Sequence, residues 1–395
     1  MSLKKNIDKV KNKIKIFYLI ETTGPGGAET VLLQLASNLT YPFKPLVGIT
    51  GKGWLANQLK KKGIPFVILN TGGSYDLKLL RSIINIVRKY NVHIIHAHLF
   101  SIGFYAALAG SLLKIPVIVT LHGVVDVDSS PNNIDFKAKF KIFILNKLAK
   151  KIIIVSYFLK SYYEKLGFKK HKLQVIYNGI NLNKFYPRPD KSYKYKLGFS
   201  SNDILIGAIG NIRKSKGYHY YIQAAALVVK HIPQAKFLLV GEGDDKIEKE
   251  LHQLVKKLNL NNNFFFLGYR NDIPEILSAL DVFVLPSVSE GFSISTIEAM
   301  AMKVPVIVTK SGGPEEIIKN YENGLLVCSG DHIALAEGII CLLNNQKQAL
   351  TFCDNAYQRV KTIFSINCQI SSYTQLYASL ILTNKNIQQL RRELW

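Results

Sequence analysis

The sequence is poor in cysteine and in acidic residues. Its four cysteines, Cys328, Cys341, Cys353 and Cys368, all fall in the last quarter of 395 residues, with no CxxC pair and no nearby Cys/His grouping. That spacing argues against a structural zinc site and against a disulfide framework, and it suits a reducing cytosol. A membrane-spanning segment is also missing: the longest uncharged stretch, Tyr90 to Leu113, contains His93, His96, His98 and Gly103. Its apolar part, from Leu99 to Leu113, is shorter than the ~20 residues a span needs. It reads instead as a buried strand followed by a buried helix. The N-terminus is basic, but its apolar run from Ile16 to Ile20 is too short for a signal-peptide core and ends at Glu21. Low-complexity tracts and short-period repeats are absent.

Only 27 Asp and Glu stand against 51 Lys and Arg, a formal net charge of +24. With 48% hydrophobic and 20% charged residues the chain is a globular protein with a large core, not a disordered polyelectrolyte. Its length points to two domains or three. The charge surplus is compatible with nucleic acid, an anionic membrane or an anionic substrate. An overall bias toward Lys, Asn and Ile, as AT-rich coding DNA produces, would act on both halves alike. Residues 1–190 instead hold 29 basic and 9 acidic side chains, and residues 191–395 hold 22 and 18. The asymmetry is therefore the informative part. A nucleic-acid-binding protein is the alternative of a different class, but no helix-turn-helix, RNP or zinc-finger signature supports it.

Short β-branched apolar runs alternate with helical periodicity along almost the whole chain. Strands are expected at Ile14–Ile20, Pro45–Ile49, Phe66–Leu69, His93–Ala97, Val117–Leu121, Ile152–Ser156 and Leu173–Ile176. A second series follows at Ile204–Ile209, Phe237–Val240, Phe264–Leu267, Val282–Leu285, Val304–Val308 and Leu325–Val327. Near-continuous apolar strands between helices mean parallel sheets covered on both faces, and the pattern occurs twice. The seam is expected near Asn183–Ser192, which has two prolines and no periodicity. From His332 onward only helical patterns remain.

Three segments carry chemistry. Thr23-Gly24-Pro25-Gly26-Gly27-Ala28-Glu29 follows the first strand and opens a helix, where glycines allow close backbone approach and a helix N-terminus attracts anions. It matches neither the GxGxxG dinucleotide fingerprint nor a P-loop, which disfavours hydride-transfer enzymes. Gly210-Asn211-Ile212-Arg213-Lys214-Ser215-Lys216-Gly217 sets cations beside a glycine turn, a plausible diphosphate clamp or else a solvated basic loop. In the segment Pro286 to Met300, Glu290 precedes a helix and Glu298 lies inside it. The amides of Phe292, Ser293 and Ile294 between them form an anion site.

Together these segments resemble the retaining GT-B glycosyltransferases of the glycosyl transferases group 1 family, of family four type. The resemblance covers almost the whole chain. It rests on Gly26–Glu29, on Val119-Thr120-Leu121-His122-Gly123, and on Val175-Ile176-Tyr177-Asn178-Gly179-Ile180. It continues through Arg213 and Lys216-Gly217, Val240-Gly241-Glu242-Gly243, the E-x7-E element Glu290…Glu298, and Ser311-Gly312-Gly313-Pro314-Glu315-Glu316. The fold implied is α/β, GT-B: two facing Rossmann-like doubly wound domains with a C-terminal helix, about Ile366–Leu382, crossing back to the first domain. The domains implied are 1–187 (acceptor-binding), 188–365 (nucleotide-sugar-binding) and 366–395 (terminal helices).

The resemblance also implies roles. Glu290 contacts the donor sugar and Glu298 the ribose; Arg213, Lys216 and the Phe292–Ile294 amides hold the diphosphate. Gly26 and Gly27 lie close to the phosphates, and His122 lies by the donor sugar, orienting hydroxyls. The family commonly has Arg where this chain has Asn211, which leaves open whether Asn211 or Arg213 meets the diphosphate. Where the family has Gly-Leu-Pro this chain has Ser293-Ile294-Ser295, a change backbone contacts survive. The expected reaction is metal-independent, cofactor-free transfer of a hexose or N-acetylhexosamine from a UDP- or GDP-sugar to a glycan or lipid-linked acceptor. A GT-B sugar-nucleotide epimerase is the nearer alternative.

Three further features remain. Asp126-Val127-Asp128 reads as a metal-binding DxD, though a solvated loop or acceptor contact is preferred. His96 and His98 share a strand face but lack a third ligand, and read as buried strand-end histidines. The segment Phe136 to Lys151 has two readings: a basic amphipathic helix on an anionic membrane, or a core helix leading into a strand. The core reading is preferred for its apolar face but not for its lysines. With the basic surplus in the first domain, the acceptor face is expected to meet an anionic membrane or lipid-phosphate carrier. The protein is placed in the cytoplasm, peripheral on the inner face of the cytoplasmic membrane.

Overall fold

A computed structural model describes residues 13–72, 76–127, 134–188 and 192–383. Asp128, the first twelve residues and the chain beyond Thr383 lie outside the described residues. The chain divides into two compact units, residues 1–178 with 367–395, and residues 179–366.

The first unit is a seven-stranded parallel sheet. Its strands are β1 (Ile14–Ile20), β2 (Phe43–Ile49), β3 (Phe66–Ile68), β4 (Ile94–His98), β5 (Val117–Leu121), β6 (Lys151–Ile154) and β7 (Leu173–Val175), in the order β3-β2-β1-β4-β5-β6-β7. Helices cover both faces, so every residue of β4 and of β5 is buried and the runs are apolar without alternation. The amphipathic helix Leu77–Tyr90 shows how such a cover is built. Leu79, Ile83 and Val87 face inward at i, i+4, i+8, Asp76 caps its start by accepting from Leu79 N at 2.8 Å, and Asn91 ends it in the left-handed region. The uncharged stretch from Tyr90 to Leu113 is, as its sequence indicates, strand β4 followed by the helix Phe100–Leu113.

The second unit repeats the plan with six parallel strands. They are β8 (Ile204–Ile209), β9 (Ala235–Val240), β10 (Phe264–Gly268), β11 (Val282–Leu285), β12 (Val306–Lys310) and β13 (Leu325–Cys328), ordered β10-β9-β8-β11-β12-β13. Its core packs Ile206, Phe237, Leu239 and Phe264 against Tyr221, Ile222 and Ala225 of the helix Tyr218–His231. Each such side chain taken from water contributes roughly 1.5–3 kcal/mol.

In both sheets the strand order reverses beside the first strand, between β1 and β4 and between β8 and β11. The loops leaving the C-terminal ends of strands at such a point form the crevice in which doubly wound folds bind ligands. Among the described residues three helices follow β13, at His332–Asn344, Gln346–Ile363 and Ile366–Thr383. The last of them belongs to the first unit. Its Tyr373 and Tyr377 are fully buried, and the Tyr377 hydroxyl meets Tyr18 at 3.0 Å and His96 Nδ1 at 2.7 Å.

The helix Phe136–Leu148 leads into β6 and buries an apolar face, as the core reading expects, but leaves a second apolar row outside. Its inward face is Ala138, Ile142 and Leu145, with Asn146, while Phe136, Phe140 and Phe143 are 84%, 50% and 59% exposed. The helix carries two apolar rows between its lysines, and only one of these parallel i, i+4, i+7 stripes can pack on the sheet. The smaller aliphatic stripe takes that place.

Candidate active site

In the second unit three loops meet at the C-terminal ends of β8, β11 and β12. The loop after β8 bears Arg213, a short 3-10 turn at Lys214–Lys216, and Gly217 at φ 65, ψ 25. A Cβ at Gly217 would collide with the Pro286 carbonyl oxygen, so glycine is needed both for the left-handed backbone and for the close approach of the β8 and β11 loops. Val288 N donates to Ser215 O at 2.7 Å across that approach. Glu290 is fixed by its backbone to the β12 loop, its N donating to Ser311 O at 2.9 Å and its O accepting from Gly313 N at 2.8 Å. The result is that Lys216 Nζ and Glu290 Oε2, 74 residues apart in sequence, stand 2.5 Å from one another, with Ser287 Oγ 3.3 Å from the same carboxylate oxygen.

The helix Ile294–Ala301 begins immediately beyond. Ser293 is its N-cap, and its hydroxyl accepts from Thr296 N at 3.3 Å and from Thr296 Oγ1 at 2.8 Å. The first N–H groups of a helix have no intrahelical acceptor, and this cap satisfies that of Thr296, leaving the turn at Ile294 and Ser295 as its electropositive end. Phe292 contributes backbone only, because its ring is buried 5.7 Å from that of Phe364. Glu298 sits farther along the helix. Burial pushes its carboxyl up to about 7, against the opposing charge of Lys184. Arg213 is exposed and makes no ion pair among the described residues, and Asn211 is partly buried. The geometry thus joins Lys216, Glu290 and the helix start, and leaves Arg213 reaching outward. A cavity of about 260 Å³ lies at the ends of β8 to β10, lined by Ile212, His252 and Phe266 and by the carboxylates Glu242, Asp245 and Glu248; Arg213, Lys216 and Glu290 do not line it.

The first unit has a different edge. Gly26 is the N-cap of the helix Gly27–Asn38, its C=O accepting from Thr30 N at 3.0 Å, and buried Glu29 folds back over it where a Cβ would stand. His122, just past β5, lies against His98 at the end of β4. Their rings are stacked at 5.1 Å, with His98 Nδ1 2.9 Å from His122 Nε2. Burial holds His122 down at about 3 and His98 well below the usual imidazole range, so both are neutral at physiological pH. One ring therefore donates to the other, and one outer nitrogen carries a hydrogen while the other is an acceptor. Those outer atoms, His98 Nε2 and His122 Nδ1, are buried with no hydrogen-bond partner among the described residues.

Asp126, half of the DxD reading, is spent locally. Its carboxylate accepts from the His122 and Gly123 amides, and burial together with the Glu29 charge moves it up to about 6. Among the described residues no group of three His, Cys, Asp or Glu is gathered to hold a metal ion. His96 is bonded through Nε2 to Thr120 Oγ1 at 2.7 Å as well as to Tyr377, a satisfied core histidine.

Reading the sequence missed the pairing of His98 with His122. The available signal was the H-x-H spacing at a strand end, which also places His96 and His98 on one face. A second signal is visible only in the backbone: Leu99, directly after His98, adopts φ 81, ψ 161, a region almost reserved for glycine. Strain of this kind costs on the order of 1–3 kcal/mol and gathers at functional sites.

Two doubly wound parallel sheets, each with loops converging at its switch point, define the GT-B class of glycosyltransferases. The solved structure of HepE from Anabaena in complex with UDP superposes with a TM-score of 0.84 at 26% identity, covering 93% of this chain and all of that one; the same protein in complex with UDP-glucose matches equally well. The glycosyl transferases group 1 model matches residues 190–359, and the glycosyltransferase family 4 model matches residues 25–184. Among characterised relatives, N-acetyl-alpha-D-glucosaminyl L-malate synthase of Bacillus anthracis is 30% identical over 79% of this chain and 81% of its own. UDP-Gal:alpha-D-GlcNAc-diphosphoundecaprenol alpha-1,3-galactosyltransferase of Escherichia coli is 26% identical over 94% and 98%. The chain belongs to the glycosyl transferases group 1 family and is a glycosyltransferase.

Proposed function

We propose that this enzyme transfers a hexose or N-acetylhexosamine from a UDP- or GDP-sugar to a glycan or lipid-linked acceptor, with retention of anomeric configuration and without a metal. The carrying observation is the meeting of Lys216 and Glu290 beside the N-terminus of the Ile294–Ala301 helix. A cation, a carboxylate and a helix dipole at one point suit a ligand with an anionic diphosphate flanked by hydroxyl-bearing sugars. Glu290 then takes the donor sugar hydroxyls, Glu298 the ribose, and Lys216 with the helix amides the diphosphate, with Arg213 swinging inward to assist. Gly26 and Gly27 admit the phosphates closely, and His122 orients hydroxyls by the donor sugar.

In the step itself the acceptor oxygen bonds to the anomeric carbon as the carbon–phosphate-oxygen bond breaks. The bonding pair leaves on the β-phosphate, which takes the acceptor proton on the same face. Charge growing on the leaving diphosphate is met by fixed cationic groups, each worth roughly 3–4 kcal/mol of barrier in comparable sites. This is the work a metal performs elsewhere, so activity should persist in chelator.

The relatives and the charge support the reading of acceptor and location. The Escherichia coli relative is named for a diphosphoundecaprenol-linked acceptor. The +20 carried by residues 1–190 suits an anionic surface. No helix among the described residues is long and apolar enough to cross a membrane. We therefore place the enzyme in the cytoplasm, peripheral to the membrane, in the assembly of a bacterial cell-surface polysaccharide or lipopolysaccharide. A thermal-shift screen against UDP- and GDP-sugars tests the donor, because a true donor raises the melting temperature in proportion to RT ln(1 + [L]/Kd). Consumption of the sugar nucleotide without any acceptor would point to an epimerase instead.

A further inference from the structure

The helix Phe136–Leu148 presents to solvent a row that a folded protein ordinarily hides. Phe136, Phe140 and Phe143 lie at i, i+4, i+7 along one side and are 84%, 50% and 59% exposed. Lys147 continues the row, and Lys137 and Lys139 flank it, all three exposed. No acidic side chain lies within the helix; Asp135 before it is occupied as N-cap, accepting from Ala138 N. Beneath the row the helix is firmly seated, through buried Ala138, Ile142 and Leu145 and through Lys141, whose Nζ reaches Ser101 Oγ at 3.3 Å. The outward face is therefore rigid, apolar along its middle and cationic along its borders.

We propose that this face docks on an anionic phospholipid bilayer, the three rings entering the headgroup boundary and the lysines pairing with lipid phosphates. The charge pattern selects this occupant. In a two-fold contact with a second copy, each lysine border would lie against another lysine border. Single-stranded nucleic acid would use the lysines, but it stacks bases on rings arranged along a groove, not along the crest of one helix. The helix follows β5 and leads back into β6, so in this parallel sheet its first turn, with Phe136, starts at the edge that carries His122. Lys141 also offsets the charge of Glu21 at the end of β1 on that edge. Docking would set the His122 edge beside the membrane, where a lipid-linked acceptor resides. The inference deepens the lipid-linked-acceptor reading and rests on it for its purpose, but vesicle binding needs no sugar donor.

The test uses the full chain with phosphatidylcholine vesicles, with and without phosphatidylglycerol, in co-sedimentation over a range of salt. The wild-type protein is expected to bind the anionic vesicles and to bind neutral ones far less. Phe136→Ser, Phe140→Ser and Phe143→Ser combined should lower the partition at least tenfold, most visibly at high salt. Lys137→Glu, Lys139→Glu and Lys147→Glu combined should lower it roughly a hundredfold at low salt, at about fivefold per lysine. All six positions are exposed, so melting temperatures should stay with the wild type and serve as the folding control. Undiminished vesicle binding by both variants would overturn the assignment to this helix while leaving membrane association intact. Failure of the wild-type protein to bind anionic vesicles would overturn both, whereas transfer to a water-soluble acceptor would still judge the enzymatic reading. A dimer broken by the Phe variant, or single-stranded DNA bound more tightly than vesicles, would also overturn the proposal.

Discussion

The two units share a plan and differ in what they put at its working edge. In the second unit the edge is ionic: Lys216 against Glu290, with the N-terminal turn of the Ile294–Ala301 helix and Arg213 alongside. In the first the centre is a neutral, dry cluster: His98 paired with His122, and behind them His96, Thr120, Tyr373 and Tyr377 joined by hydrogen bonds, with the carboxyls of Asp126 and Glu29 beside it. Fixed charge suits a permanently charged ligand such as a diphosphate. Neutral donors and acceptors in a dry setting suit hydroxyl groups, which need orientation more than charge. One architecture thus carries two chemically different edges, and the division is set by the side chains at strand ends and in loops, not by the order of the strands.

The largest effect that can break this comparison is on catalysis. Lys216→Ala and Glu290→Ala should each lower turnover by about 10²–10³-fold, in line with the loss of one preorganised group, while the melting temperature changes little. Full activity in either variant, measured as release of nucleoside diphosphate, would sink the assignment of the ionic edge.

Acidification should separate the units next. His96 and His122 are held at about 3 against an ordinary 6.5, and burial likewise holds His98 well below it. The unfolded chain therefore takes up protons below pH 6.5 that the folded chain refuses, and each histidine removes about 1.4 kcal/mol of stability per pH unit there. Asp126, raised to about 6, acts the opposite way as the pH falls from 6 to its ordinary value, and cancels about one histidine. The first unit should lose on the order of 2–3 kcal/mol per pH unit between pH 6 and 4. Glu298, raised to about 7, favours the folded form as pH falls below 7, so the Ile294–Ala301 helix should be better protected at pH 5 than at pH 8. Hydrogen exchange across this range reads the two regions separately; parallel behaviour would contradict the contrast.

A smaller effect is structural. Gly217→Ala sets a side chain at φ 65 and against the Pro286 carbonyl, and should cost about 2 kcal/mol while weakening UDP binding through displaced Lys216. Calorimetry gives both numbers. The smallest effect sharpens the division of labour: His98→Asn should slow transfer about tenfold, without changing the dissociation constant for UDP. A matching loss of UDP affinity would move His98 to the nucleotide side.

Much of this was legible beforehand. β1, β5, β8 and β11 have the bounds that their β-branched runs indicate, because a strand buried on both faces needs an unbroken apolar run. Glu290 before a helix and Glu298 inside it could be placed from the strand end at Leu285 and the helical period after Ser293. His98 was harder, since a histidine on a buried strand is more often a core residue, as its neighbour His96 proves to be. Nothing local distinguishes the two; the difference is whether Thr120 and Tyr377 or His122 happens to stand opposite.

By itself the sequence determined two parallel doubly wound units, the loops at their switch points and a basic surplus in the first half, because periodicity, glycine placement and charge act locally along the chain. Only the tertiary structure decided that Lys216 meets Glu290, that Tyr373 and Tyr377 from the end of the chain fill the first unit, and that three phenylalanines face outward among lysines. Those outcomes depend on which surfaces compete for the same partner. A helix with two apolar rows cannot announce which of them the sheet will bury.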